Sequence, residues 1–187
     1  MSEPKASGAG RPEGRPGQEC GQNARTGTPS PLQPVGPDQF RAVMGHFATG
    51  VTVVTATSPL GPVGMTANAV CSLSLDPLLL LVCFDRGART LTVVRETRTF
   101  GVNVLGAGQE HLARLFASKA PEQAKFAEVA HRVDSGVPVL DGAIAWVGCR
   151  LERLVPGGDH TIGIGAVQAA EAGGGDPLLF YRGAYRA

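Results

Sequence analysis

Hydrophobic and polar positions follow a two-residue period along most of this chain, and only short stretches keep a helical one. Val51–Thr57 and Val63–Val70 are rich in β-branched residues and flank Ser58-Pro-Leu-Gly-Pro62, which predicts two strands joined by a turn. Cys71–Pro77 follows, then the almost wholly apolar Leu78–Phe84. Further strands are predicted over Thr99–Leu105, over Ala143–Val155 through Trp146, Val147, Cys149, Leu151 and Leu154, over His160–Val167 after the turn Pro156-Gly-Gly-Asp159, and over Pro177–Gly183. Helical spacing is limited to four places. Phe40, Val43, Met44 and Phe47 lie on one face of a helix opened by Asp38 as N-cap and stopped by Gly50. A short helix opens at Arg89 or Thr90, a third covers Gln109–Phe116 with Leu112, Leu115 and Phe116 inward, and a last short one carries Phe126 beside Val129. At least eight strand-like runs and a few short helices predict a mainly β fold, an antiparallel Greek-key barrel.

Composition changes the picture at the N-terminus. Residues 1–37 hold 7 Pro and 7 Gly, and their only large apolar residues are Met1, Leu32 and Val35. Such a segment cannot bury enough area to offset its ordering entropy, so we expect a disordered tail over 1–37 and one domain over 38–187. A net charge of +1 gives no electrostatic case for nucleic acid or for a membrane surface. No run has the length of a transmembrane helix, and the N-terminus has no apolar core like that of a signal peptide. Cys20, Cys71, Cys83 and Cys149 form no C-x-x-C pair, so neither a zinc site nor a disulfide framework is indicated. The expectation is a cytoplasmic protein.

Three stretches carry candidate chemistry. Thr66-Ala-Asn-Ala69 has only small or short polar side chains, which makes the strand's backbone N–H and C=O groups approachable by a planar, hydrogen-bonding ligand. Asp85-Arg-Gly-Ala-Arg-Thr90 delivers free helix N–H groups, a hydroxyl and guanidinium groups to one loop, a phosphate seat or a solvated turn. His160 heads a strand in which Gly163 and Gly165 leave one face bare, so a bulge or a close neighbour is expected there. No phosphate-binding P-loop, dinucleotide G-x-G-x-x-G or G-x-S-x-G elbow occurs, and the four histidines form no i, i+4 pair.

In collinear order over 38–187, the chain resembles the short-chain flavin reductases of the FMN-binding split-barrel fold. The resemblance runs through Phe40-Arg-x6-Ala48-Thr-Gly-Val-Thr-Val-Val54, Gly64-Met-Thr-Ala-Asn68, Ser72-Leu-Ser-Leu-Asp-Pro77, Phe100-Gly-Val-Asn-Val-Leu105, Gly158-Asp-His160 and Phe180-Tyr-Arg-Gly-x-Tyr185. It implies flavin contacts at Thr49, Thr52, Met65, Thr66, Ala67, Asn68, Ser72 and Leu73, and flavin phosphate contacts at Arg89 and Thr90. Ala88 stands where relatives often carry Ser. Ser118-Lys-Ala-Pro-Glu-Gln-Ala-Lys-Phe126 resembles a segment two residues shorter in the family, whose Phe borders the ring site; Phe126 also reads as a core aromatic. The resemblance further implies that His160 is the catalytic residue facing nicotinamide, with Tyr181 and Arg182 beside it and Tyr185 completing a mobile wall.

The implied activity is hydride transfer from NADH or NADPH to FMN or FAD, without a metal, by a homodimer that supplies reduced flavin to a separate monooxygenase. Two alternatives on the same scaffold are a flavin-dependent oxidase or oxygenase with its own organic substrate, and a flavin-binding protein without turnover. Deleting residues 1–36 is expected to leave melting temperature and flavin reduction unchanged; a lowered melting temperature on truncation would show that the tail packs.

Overall fold

The structure, a computed structural model, describes residues 33–187, so most of the expected tail lies outside the described residues. Helix α1 (Pro37–Met44) leads through the two-residue β1 (Thr49–Gly50) into a hairpin of β2 (Thr52–Ser58) and β3 (Gly61–Ala67). A second hairpin follows, β4 (Val70–Leu75) and β5 (Leu78–Asp85), then α2 (Arg89–Thr97) and β6 (Thr99–Val104). A 3₁₀ turn at Ala107–Gln109 opens α3 (Glu110–Ala117), which is followed by α4 (Glu122–Phe126). Three further strand pairs complete the chain: β7 (His131–Asp134) with β8 (Val137–Leu140), β9 (Ala145–Gly157) with β10 (His160–Ala172), and β11 (Leu179–Tyr181) with β12 (Ala184–Arg186).

Seven strands form one antiparallel sheet in the order β3-β2-β6-β9-β10-β5-β4. Its two edge strands, β3 and β4, are consecutive in the chain and are joined by only Asn68 and Ala69. Such a link spans at most about 11 Å from Ala67 to Val70, far less than the width of seven strands spaced ~4.8 Å apart. The sheet must therefore roll until its edges meet, and β3 and β4 remain unpaired, so the barrel is split there. The N–H of Cys83 donates to the Ala69 carbonyl at 2.9 Å and fastens the link. No helix among the described residues is long and apolar enough to cross a membrane.

The rolled sheet encloses one core and carries another on its opposite face. Inside lie Val54, Val82, Phe84, Leu91, Phe100 and Leu151, with α2 as a plug. On the other face Val51, Val53, Leu112, Phe116, Phe126 and Leu140 pack together under α3 and α4. The bare strand of β10 is explained by the first core. A Cβ on Gly163 would lie 2.6 Å from the Phe84 ring, and one on Gly165 2.6 Å from the Phe100 ring. The two rings meet edge to face at 5.9 Å directly over these glycines. Register shifts at Ile164/Gly165 and at Val167/Ala169 supply the expected irregularity.

Local chemistry fixes the turns. Between β2 and β3, Gly61 adopts φ +116, the Ser58 hydroxyl donates to the Gly61 carbonyl at 2.9 Å, and the Leu60 N–H donates back to that hydroxyl at 3.2 Å. Asn103 is fully buried: its Nδ2 donates to the carbonyls of Val53 and Pro138, while its Oδ1 accepts from the Leu140 N–H at 2.8 Å. That side chain pins the β7–β8 hairpin, which the sequence pattern did not reveal, onto the main sheet.

Two expectations are corrected at the first helix. Its N-cap is Gly36 rather than Asp38, which instead pairs with Arg41 at 3.0 Å within the first turn. It ends at Met44, capped by Gly45, so Gly50 belongs to β1 and His46 lies beyond the helix. The periodic apolar face is exposed, with Phe40, Val43, Met44 and Phe47 at 47–69 %. Replacing Gly163 with Ala forces its methyl into the Phe84 ring and is expected to cost about 1–3 kcal/mol. Urea denaturation measures this as a lower midpoint with an unchanged slope.

Candidate functional site

Where the rolled edges approach each other, the chain leaves an open cavity of about 940 Å³. One wall is the end of α1, with Met44 and Phe47; the opposite wall is the outer face of β4 and β5, with Cys71, Leu81 and Cys83. The register dictates that second wall. Cys71 pairs with Leu81, and Leu81 and Cys83 are two residues apart, so all three side chains share a face while Leu80, Val82 and Phe84 point into the core. Three polar side chains converge on the floor. Thr52 donates to the Ala67 carbonyl at 2.6 Å, and Asn68 Nδ2 donates to Thr49 Oγ1 at 3.2 Å. A mostly apolar cleft with a few placed polar groups is the usual form of a small-molecule site.

Asn68 and Phe180 also border a second cavity of about 120 Å³, completed by Thr66, Ala67 and Tyr185. The Tyr185 ring packs against Phe180 at 5.4 Å and lies under the Arg114 guanidinium at 5.1 Å. Thr66 donates its hydroxyl to the Ala113 carbonyl at 2.7 Å. Its backbone stays available. Gly64 N–H turns away from β2 to Glu122 at 3.0 Å, and in an antiparallel edge strand such outward groups recur every second residue. The N–H and C=O of Thr66 therefore point outward as well.

Four residues back from Asn68, a distance of ~13 Å at strand rise, a second polar cluster adjoins the same edge. Arg89 opens α2, and its Nη2 lies 3.0 Å from Glu122 Oε1. The helix N-terminus has no side-chain cap, because Ala88 occupies that position. Thr90 is 1 % exposed, and its hydroxyl has no hydrogen-bond partner among the described residues. A buried hydroxyl left unpaired in this way costs roughly 1–3 kcal/mol.

The remaining sequence candidates are placed as follows. Met65 packs partly against the inner core, and Ser72 and Leu73 are exposed on β4 beside its register shift. Phe126 sits in the outer core, edge to face with Phe116 at 5.0 Å, and lines neither cavity. His160 stands opposite Asp85 on the same sheet face as Leu81 and Cys83, and its Nδ1 is 2.8 Å from Asp159. That contact holds the Asp159 carboxyl below the usual carboxylate range, by hydrogen bonding first and by charge second. The Arg182 N–H donates to the Gly45 carbonyl at 2.8 Å, and Tyr181 meets His46 edge to face at 6.4 Å, so the C-terminal strands brace the end of α1.

Sequence reading alone misses the cavity walls Met44, Phe47, Cys71, Cys83 and Phe180 as site residues; the i, i+2 pattern of β5 is the one signal that bears on them. Burial raises the thiol of Cys83 and pushes that of Cys149 up to about 12. Among the described residues, no cluster of three His, Cys, Asp or Glu could hold a metal ion.

Known proteins share this arrangement. Residues 44–187 match the model of the flavin reductase like domain. The chain is 42 % identical, over 82 % of each sequence, to the reductase component of a 4-nitrophenol 4-monooxygenase/4-nitrocatechol 2-monooxygenase from Rhodococcus opacus. It is 40 % identical to an NADH-dependent flavin reductase from a Rhodococcus species, covering 86 % of this chain and 92 % of that one. Among solved structures, the NADH:FAD oxidoreductase SgcE6 of Streptomyces globisporus C-1027, in complex with NAD and FAD fragments, superposes with a TM-score of 0.77. It shares 40 % identity, over 83 % of this chain and 96 % of that one. With the split, rolled sheet and its edge cavity in place, these matches make the chain a member of the flavin reductase-like domain family.

Proposed function

We propose that this protein is an NAD(P)H:flavin oxidoreductase that supplies reduced flavin to a separate monooxygenase. One observation carries the reading: an apolar cavity lies at the Asn68 end of the β3 edge, and an uncapped helix N-terminus adjoins the same edge near Gly64. These residues fit a flavin. The cavity accepts a flat ring, the outward backbone of Thr66 offers it hydrogen bonds, and Thr90 with Arg89 offers donors to its phosphate. Bound flavin supplies the hydride-accepting ring that no side chain here can replace.

The chain's own part is to hold, orient and exclude water. Thr52 donates to the Ala67 carbonyl and Asn68 to the Thr49 hydroxyl, so two groups of the cavity floor are held by the chain itself. The N–H groups near Thr66–Asn68, with those of Ser72 and Leu73, would stabilise negative charge on the ring as it accepts hydride. Phe180 and Tyr185, which border the smaller cavity, would shield a bound ring, and Tyr181 and Arg182 belong to the same C-terminal hairpin. His160, on the sheet face of the cavity wall, orients the nicotinamide with Asp159 as its partner.

Two finer features belong to the same reading. The exposed apolar side chains of α1, with Leu75 at 82 % and Leu78 at 53 % exposed, support a homodimer that covers them. The unpaired thiols of Cys71, Cys83 and Cys149 accord with a reducing cytoplasm.

The test of the activity is consumption of reduced nicotinamide with free flavin alone. Steady turnover is expected; dependence on an added organic substrate would overturn the reading. Thr90→Val is expected to leave stability equal or slightly higher while weakening FMN binding several-fold, read by fluorescence quenching beside thermal melting. His160→Ala should raise the nicotinamide KM or slow single-turnover reduction with flavin affinity unchanged.

A further inference from the structure

Among the described residues, the buried charges gather on the outer edge of β3. Lys125 is 3 % and Glu122 8 % exposed, levels at which charged side chains are rarely found unpaired. Glu122 meets three groups at once. Its Oε2 accepts from the Gly64 N–H at 3.0 Å, and its Oε1 lies 3.3 Å from Lys125 Nζ and 3.0 Å from Arg89 Nη2. Lys125 Nζ also reaches the Gly64 carbonyl at 3.5 Å. Glu122 and Lys125 thus satisfy both outward backbone groups of an edge residue. Covering the strand edge does not explain the contact between Glu122 and Arg89.

We propose that Glu122 is a positioning residue for the flavin phosphate, acting by locking the plane of the Arg89 guanidinium. This rests on the reading of Arg89 and Thr90 as the phosphate seat. A guanidinium carries five N–H donors in a rigid fork. Nη2 donates to the Ala120 carbonyl and stands 3.0 Å from the Glu122 carboxylate, its ion-pair partner. Nη1 and Nε have no partner among the described residues, so their donors remain free in a fixed plane on a side chain that is 51 % exposed. The carboxylate does not cancel the attraction for an anion. Glu122 is shared between Lys125 and Arg89, two cations to one anion, and the cluster keeps a net positive charge beside the positive end of α2. Thr90, next in the chain, adds a buried hydroxyl that has no hydrogen-bond partner among the described residues.

The experiment compares the dissociation constants of FMN and of riboflavin, which lacks the phosphate, by fluorescence quenching. Arg89→Ala is expected to remove most of the preference for FMN. Glu122→Gln keeps the size and an acceptor for Gly64, and should reduce the preference roughly three- to tenfold with riboflavin affinity retained. Arg89→Lys keeps the charge without the fork and should lose as much, and the double variant Arg89→Lys/Glu122→Gln should lose no more than either single one. An Arg89→Ala protein that still prefers FMN as strongly as the parent overturns the phosphate seat itself. A loss in Arg89→Ala combined with unchanged or tighter FMN binding in Glu122→Gln overturns the positioning role, because Glu122 would then be only an opposing charge. If Glu122→Gln does not fold, Arg89→Lys decides: a retained preference for FMN overturns the proposal.

Discussion

Everything in this structure depends on the shortness of the connection between β3 and β4. Two residues join strands that stand at opposite edges of a seven-stranded sheet, and the sheet has no choice but to curl. Curling brings the outer face of β4 and β5 beside the floor formed by Thr49, Thr52 and Asn68, residues that a flat sheet would hold far apart. It also leaves the β3 edge unpaired by any strand. The same constraint therefore creates the cavity and exposes the backbone that lines it.

A rolled sheet of this size needs a dense interior, and the glycines of β10 supply the room. Phe84 and Phe100 lie flat over positions where any side chain would collide with them. Large rings over bare backbone fill the inside without widening the barrel. The outer core, under α3 and α4, also holds the short helix that carries Glu122 and Lys125 against the strand edge. Stability and site geometry meet at Gly64, where a Cβ would lie 2.8 Å from the Phe116 ring.

Much of this was legible in the residues. The β2–β3 and β9–β10 hairpins follow from alternating β-branched runs around Pro/Gly turns, and the bare face at Gly163 and Gly165 announced a close neighbour. Thr49, Thr52 and Asn68, separated in the chain, do meet at one cavity. Other features were hidden for physical reasons. The β7–β8 hairpin is only four residues a side, interrupted by Pro138, and is held by Asn103 from another strand rather than by its own pattern. The sequence shows the apolar stripe of α1, but period alone cannot say whether such a stripe is covered within the same chain. Nothing in the sequence singles out Glu122, because the fold brings Gly64 and Arg89 to it from distant parts of the chain.

The buried thiol of Cys149 has a consequence for chemical durability. Reduced flavin that escapes into aerated water yields peroxide, an oxidant that even a reducing compartment has to meet near its source. Peroxide attacks thiolates rather than thiols. With its titration pushed up to about 12 by burial, Cys149 holds its proton throughout the physiological range and stays unreactive. Its neighbours in the core, Phe100 and Leu151, thereby escape the swelling that a sulfinic or sulfonic group would force on them. The thiol behaves as a hydrocarbon would, at a place in the barrel where an oxidised sulfur would split the sheet from within.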